Sequence, residues 1–289
     1  MVQASVPVWF NRGKSPFYLE SWIRDERWWQ TYYSCNQGEL IAMVLCLLAR
    51  DAAAKRLDHR VVPVCDFIRE LLVSSARVLR SKPTRVRTAD EANKTLEETF
   101  GKSKIFFNHF IKLHDNEIIN RKYLWVLIAR GTAGICANHQ VGIDIVIPFL
   151  FWDHLLRREN VSAIFIQCKN SATFQVTTRE YLLDMMNPYH IRFFDEKEIP
   201  VPVIRIVFAL GLLIPKMEVL SCPERSQPSR DAAFKANYQV DKYTAFDIWC
   251  AKASCETFLP IKDDLRNTTR SMNPASGSHA AHYCSYTAF

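Results

Sequence analysis

The chain has 289 residues, 48% of them hydrophobic, and its 37 lysines and arginines outnumber its 30 aspartates and glutamates, for a formal charge of +7. That composition supports a sizeable core and excludes a wholly disordered chain, while the cationic excess leans towards polyanions such as nucleic acid. The 9 cysteines are odd in number and form no C-x-x-C pair, which argues against both a disulfide framework and a zinc ribbon.

Residues 1–12 lack the basic start and apolar run of a signal peptide, so the expected location is intracellular, nuclear or cytoplasmic. Residues 17–33 are dense in aromatics, with Trp22, Trp28, Trp29, Tyr32 and Tyr33 set among charges. Interleaved aromatics and arginines can stack on bases, although at helical spacing they more often pack on a neighbouring helix. Residues 38–57 read as a helix. Its most apolar part, residues 40–49, is about half the roughly 20 residues that a membrane span needs, so no membrane partner is expected.

A second helix is expected over residues 64–79, where Val64, Phe67, Ile68, Leu71 and Leu72 recur at helical spacing. Residues 77–87 then hold Arg77, Arg80, Lys82, Arg85 and Arg87 with Pro83 and no acid, the composition of a solvated linker or of a strip touching phosphates. Helical stretches follow over residues 88–100, 105–113 and 118–137, the last loosened near Gly131 and Gly134. The expected organisation is a helical, aromatic-rich region with a basic linker over residues 1–87, an α/β domain over 88–262 and a disordered tail over 263–289. In that tail His279, His282 and Cys284 are scattered candidate metal ligands without a defined spacing.

From residue 143 the pattern changes to strand. Residues 143–151 (IDIVIPFLF) and 161–167 (VSAIFIQ) are rich in β-branched and aromatic side chains and apolar on both faces, as in a sheet covered on both sides. A helix over residues 177–186, a buried strand over 202–213 and a short element over 243–250 follow. The fold class expected is α/β, a mixed sheet containing an antiparallel hairpin and flanked by helices.

That hairpin sets Asp144 at the start of one strand against Gln167 and Lys169 at the end of the next. Pairing Asp144 with Gln167 centres the turn between residues 155 and 156, and pairing it with Lys169 between 156 and 157, both inside the polar stretch 153–160. Alternation puts Gln167 and Lys169 on one face and Cys168 on the other. Polar groups ending such apolar strands have two explanations. One is structural, an Asp144–Lys169 salt bridge with Gln167 capping a backbone group. The other is a hard divalent cation, Mg2+ or Mn2+, held by Asp144, the Gln167 side-chain oxygen and the Cys168 backbone carbonyl, with Lys169 stabilising the attacking water or the phosphate charge. His139 and Gln140, just ahead of Asp144, read as loop residues. Pro148 lacks an N–H and predicts a bulge or an edge position within its strand.

The string GIDIVIPFLF, a turn and then AIFIQCKNS resembles the Asp, then (Glu/Gln)-x-Lys signature of the PD-(D/E)xK nuclease-like superfamily. The likeness spans residues 116–213, with a helix before and a helix and strand after. It implies a restriction-endonuclease-like core, a nucleic-acid partner and metal-dependent phosphodiester hydrolysis, in which Asp144 is the metal-binding acid, Gln167 the second ligand and Lys169 the catalytic lysine. Gln stands where most members carry an acid. Members also supply a Glu from the preceding helix. Here no acid lies between Glu117 and Asp144, which leaves Glu117 or Asp115, at the far end of that helix. A catalytically inactive binding or protein-interaction module of the same fold is the alternative. The run RGTAGICANHQVGIDIVIPFLF, with the later TAFDIWCAKAS, is also similar to fungal proteins, a likeness that implies no activity.

Overall fold

Ala42, Leu45, Cys46, Ala49 and Ala53 recur at three- and four-residue steps and are fully buried, so they form the inner stripe of helix α1, Gln37–Leu57. The computed structural model describes residues 37–262 apart from 59, 116–117, 138–139, 152–155, 171–178 and 221–241. The aromatic stretch 17–33, the tail histidines with Cys284, Glu117 and His139 lie outside the described residues. Among the described residues no helix is long and apolar enough to cross a membrane.

After α1 come β1 (Val62–Pro63), α2 (Val64–Leu71) and α3 (Ser75–Leu79). The expected helix over 64–79 is thus two helices. Leu72 turns extended, with φ −117° and ψ 132°, and bridges Phe258 instead of continuing the spiral. Residues 88–100 likewise divide into α4 (Ala89–Ala92) and α5 (Leu96–Phe100). The division has a local cause, because Thr95 starts a new capping box: its hydroxyl accepts from the Glu98 N–H at 3.2 Å while the Glu98 carboxylate accepts from the Thr95 N–H at 2.7 Å.

Two expected helices are corrected. Residues 105–113 form β2 (Lys104–Ile105) and β3 (His109–Lys112), since Ile105 and Phe107 are buried while Phe106 and Asn108 are less so, the two-residue period of a strand. Residues 118–137 contain α6 (Arg121–Ala129), which stops before Gly131, and then β4 (Thr132–Ile135). Gly131 has φ +64°, and a Cβ there would lie 2.9 Å from the Phe106 ring, so the chain reverses at a position only glycine fills without strain.

The remaining strands are β5 (Ile145–Leu150), β6 (Val161–Lys169), β7 (Val203–Ala209), β8 (Lys216–Val219) and β9 (Ala245–Ala251), with α7 (Arg179–Met185) between β6 and β7. They build one mixed sheet of order β1-β2-β5-β6-β7-β9-β8, with β4 also on β5 and β3 parallel to β4. Strands β5 and β6 form the antiparallel hairpin, with Ile145 opposite Ile166 and Leu150 opposite Val161. Strands β6, β7 and β9 run parallel. Pro148 sits between the part of β5 paired with β4 and the part paired with β2, where a missing N–H breaks no ladder.

Alternation along the strands divides the core into two layers. Ile145, Ile147, Ile164, Ile166, Ile206 and Phe208 face α1, α2 and α3 in one apolar cluster. Val146, Phe165, Val207 and Trp249 face α6 and α7 in the other. The basic stretch 77–87 lies along the start of β9, with Thr84 N–H donating to the Ala245 carbonyl at 2.8 Å.

One ion pair is sealed inside the second layer. Arg205 on β7 is fully buried and reaches Asp247 on β9 through two bonds of 2.6 Å. Its other nitrogen donates to the Leu183 carbonyl on α7 at 2.7 Å and to the Tyr243 hydroxyl at 3.0 Å, while the Thr84 hydroxyl donates to Asp247 at 2.6 Å. Burial opposes the charge on Arg205, but Asp247 and Tyr243 more than offset it and keep its pKa raised. Asp247→Ala strands an uncompensated guanidinium and is expected to destabilise folding by about 3–5 kcal/mol. Urea denaturation checks this, and the double change Arg205→Met with Asp247→Leu is expected to recover most of the loss.

Candidate functional site

The end of the β5–β6 hairpin departs from regular pairing. Ile145 faces Ile166, yet the Asp144 N–H also donates to the Ile166 carbonyl, at 2.9 Å. Two residues of one strand therefore stand against one of the other, which is a β-bulge. Bulges re-aim a side chain, and this one takes Asp144 out of strict alternation and turns its carboxylate over the end of the sheet. There Asp144 Oδ2 accepts from the Cys168 N–H at 2.6 Å, a donor just past the last paired residues of the ladder. On the other side the Cys136 N–H donates to the Asp144 carbonyl at 2.8 Å.

The approach to Asp144 is clamped from below by Gly142, whose φ is +88°. A Cβ at Gly142 would lie 2.1 Å from the Met185 carbonyl at the end of α7, so only glycine lets the loop enter β5 against that helix. On the opposite layer Gly38, in the first turn of α1, packs against Cys168, with a notional Cβ 3.4 Å from the Cys168 Cβ. The start of α1 is thereby set on the same end of β6 as Asp144.

That packing delivers Glu39. It is half-buried in the first turn of α1; burial and then the like charge of Asp144 push its pKa up, against the pull of Lys112. The pKa of Asp144 is raised by burial alone, while the Cys168 hydrogen bond and the Lys169 and Lys112 ammoniums act against the rise. Two partly buried carboxylates thus lie within range of each other's charge at the sheet end, with Lys112 in range of both and Lys169 in range of Asp144. Pairs of acids whose environment resists ionisation mark sites that receive a cation or a proton.

The expected residues fall as follows. Asp144, the Cys168 backbone and Lys169 come together, and Lys169 lies near enough to Asp144 to stabilise its charge. Among the described residues Lys169 makes no ion pair, so a structural salt bridge does not account for it. Gln167 is 6% exposed, on the face of β6 shared with Phe165, and its Oε1 has no hydrogen-bond partner among the described residues. An orphaned buried amide oxygen one residue in from the rim is a vacant acceptor. Asp115 is exposed and follows β3. Among the described residues no three of His, Cys, Asp and Glu cluster as a metal site; the oxygen donors at this end are two carboxylates and backbone carbonyls, while the Gln167 amide lies on the face of β6 turned away from α1. Such a set fits a hard cation such as Mg2+ or Mn2+ better than a soft one.

Sequence reasoning misses Glu39 and Lys112. Glu39 lies 105 positions before Asp144 in the chain, and its only local signal is an acid in the first turn of a helix, common everywhere. Lys112 falls in a stretch that reads as helix, which hides its place at the end of a strand. The nearby thiols add no nucleophile, because burial pushes the pKa of Cys46, Cys136, Cys168 and Cys250 up and keeps them protonated.

Comparison with protein-family models, curated proteins and solved structures finds no match to this chain. The geometry of the site therefore carries the functional reading.

The raised carboxylate pKa values give a signed expectation. Folding favours the protonated acids, so their contribution to stability is full below the ordinary carboxylate range and lost as pH rises through the raised values. In metal-free buffer, Glu39→Gln and Asp144→Asn are each expected to raise the melting midpoint near pH 7 and to leave it nearly unchanged near pH 4. A lower midpoint near pH 7 in both variants would contradict the assignment.

Proposed function

We propose that this protein is a nuclease-like, nucleic-acid-binding protein that hydrolyses phosphodiester bonds with a divalent cation. The observation that carries the reading is the meeting of Glu39 and Asp144 at the sheet end beside Lys169. Glu39 supplies the helix-borne carboxylate that the resemblance to the PD-(D/E)xK superfamily requires, from α1 and not from the segment around Glu117.

Glu39, Asp144 and the Cys168 carbonyl are the residues that would hold Mg2+ or Mn2+, which when bound polarises the phosphate and lowers the pKa of a water; Gln167, the second ligand that the resemblance implies, lies on the other face of β6 from α1. The chain's own residues set up the rest. Asp144 is fixed by the Cys168 N–H, so one of its oxygens stays available towards the rim. Burial around Glu39 and Asp144 makes the pocket electrostatically responsive, since charge interactions strengthen where water is scarce. Lys169, unpaired among the described residues, keeps its ammonium for the attacking water or the phosphate oxygens. With a neutral amide in place of an acid at Gln167, the cation is held weakly.

A second reading follows from that same amide. With only two carboxylates, the site serves equally as an inactive nucleic-acid-binding module. The deciding experiment is cleavage of labelled single- and double-stranded DNA and RNA with Mg2+ or Mn2+ at millimolar levels. Glu39→Ala, Asp144→Ala and Lys169→Ala are each expected to lower the rate by about 100-fold or more, while far-ultraviolet circular dichroism stays native. Salt-sensitive binding without cleavage selects the inactive module, and cleavage that survives all three changes rejects the site.

A further inference from the structure

The sheet has two ends, and one of them carries the candidate site between lysines. Because β3, β4, β6, β7 and β9 point one way and β5 and β8 the other, the last residues of the former and the first of the latter line a single rim. In strand order it carries Lys112 ending β3, Cys136 after β4, Asp144 before β5, Lys169 ending β6, Leu210 after β7, Lys252 after β9 and Lys216 opening β8. Lys112, Lys169 and Lys252 form no ion pair among the described residues, and Lys216 pairs with Glu218.

At the opposite end some cations are paired, while Arg157, Lys197 and Lys104 form no ion pair among the described residues. Arg158 pairs with Glu198 at 2.6 Å, Lys242 with Glu196 at 3.4 Å and Arg87 with Glu91 at 3.3 Å. What the rim that holds Glu39 and Asp144 presents is a row of lysines without ion pairs on both sides of Asp144, Lys112 on one side and Lys169 and Lys252 on the other. The acids there besides those two are Glu218, held by Lys216 and Arg179, and the exposed Asp115 and Glu256.

Lys252 has a second peculiarity. Its φ is +65°, a left-handed conformation that disfavours any residue with a Cβ, and its N–H is tied to the Ala209 carbonyl at 2.9 Å. A glycine would relieve the strain, so a lysine there is held against a conformational cost, and such outliers gather at binding sites.

We propose that Lys112 and Lys252 are two outlying phosphate-binding positions on either side of the carboxylates, so that a nucleic-acid backbone lies along the rim across the strands. This rests on the nuclease-like reading above and extends it to the path of the bound strand. From Lys112 to Lys252 is five inter-strand spacings, about 24 Å at ~4.8 Å each, and roughly seven axial steps of one strand of a duplex at ~3.4 Å each. Asp144 lies two strands from Lys112 and three from Lys252, which places the carboxylates near the middle of the bound segment.

The test measures binding of a fluorescein-labelled 20-nucleotide DNA, single-stranded and as a duplex, to the full chain in EDTA over a range of KCl. Each phosphate that the protein ceases to neutralise reduces the steepness of log K against log salt by about 0.7 for a single strand and about 0.9 for a duplex. Lys112→Gln and Lys252→Gln are each expected to show that reduction, and Lys242→Gln, at the opposite end, none. Lys252→Gly removes the charge while relaxing the backbone, so it must match Lys252→Gln in slope, and Lys252→Arg must keep the wild-type slope. An unchanged slope in either rim variant, or an equal fall in Lys242→Gln, overturns the path. Absence of any binding by the wild-type chain at low salt is a different failure, because it removes the nuclease-like reading itself.

Discussion

A single hydrogen bond organises the candidate site: the Cys168 N–H donating to the Asp144 carboxylate at 2.6 Å. A strand end leaves backbone donors without a ladder partner, and an unmet buried donor costs about 1–3 kcal/mol. Here an acidic side chain meets that need, which pins the carboxylate at the sheet end. The bulge at Asp144 is the companion of this bond. It moves the residue out of the layer its position in sequence assigns, to where Glu39, Lys112 and Lys169 surround it.

The surroundings supply the stiffness that such a site needs. Gly142 admits the chain against the end of α7, where any Cβ would collide with the Met185 carbonyl, and Gly38 sets α1 on Cys168 at ordinary contact distance. Farther along the sheet, Arg205 and Asp247 tie β7, β9, α7 and residue 84 into one buried network whose charges are matched within the fold. The acids of the rim are the reverse case: burial raises their pKa, so they cost stability when ionised without a cation. Partly buried acids that are costly to ionise, set on such a frame, fit the proposed cation-binding role.

The hairpin is legible in the sequence because its two halves are long, apolar and separated by one polar turn, which admits few registers. Residue spacing leaves two registers, centred between 155 and 156 or between 156 and 157, and the observed pairing takes the first. The stretch 105–113 misleads because Ile105, Phe107, Phe110 and Ile111 satisfy both the helical and the strand period over so short a run. In the structure β3 is held by its parallel partner β4, a contact no local pattern encodes. The helix expected through residue 137 is too long because Gly131 acts as a reversal of the chain and not as a loosening within a helix.

By itself the sequence determined the α/β class, the antiparallel hairpin, and the placing of Asp144 and Lys169 at adjoining strand ends, since side-chain alternation and the apolar pattern are local properties of the chain. Only the tertiary structure decided which second carboxylate joins Asp144, that Gln167 keeps an unpartnered oxygen among the described residues, and that Lys112 and Lys252 end strands on either side of Asp144. The physical reason is distance along the chain: Glu39 reaches Asp144 because α1 packs across β6, and packing between elements far apart in sequence leaves no periodic mark in either of them.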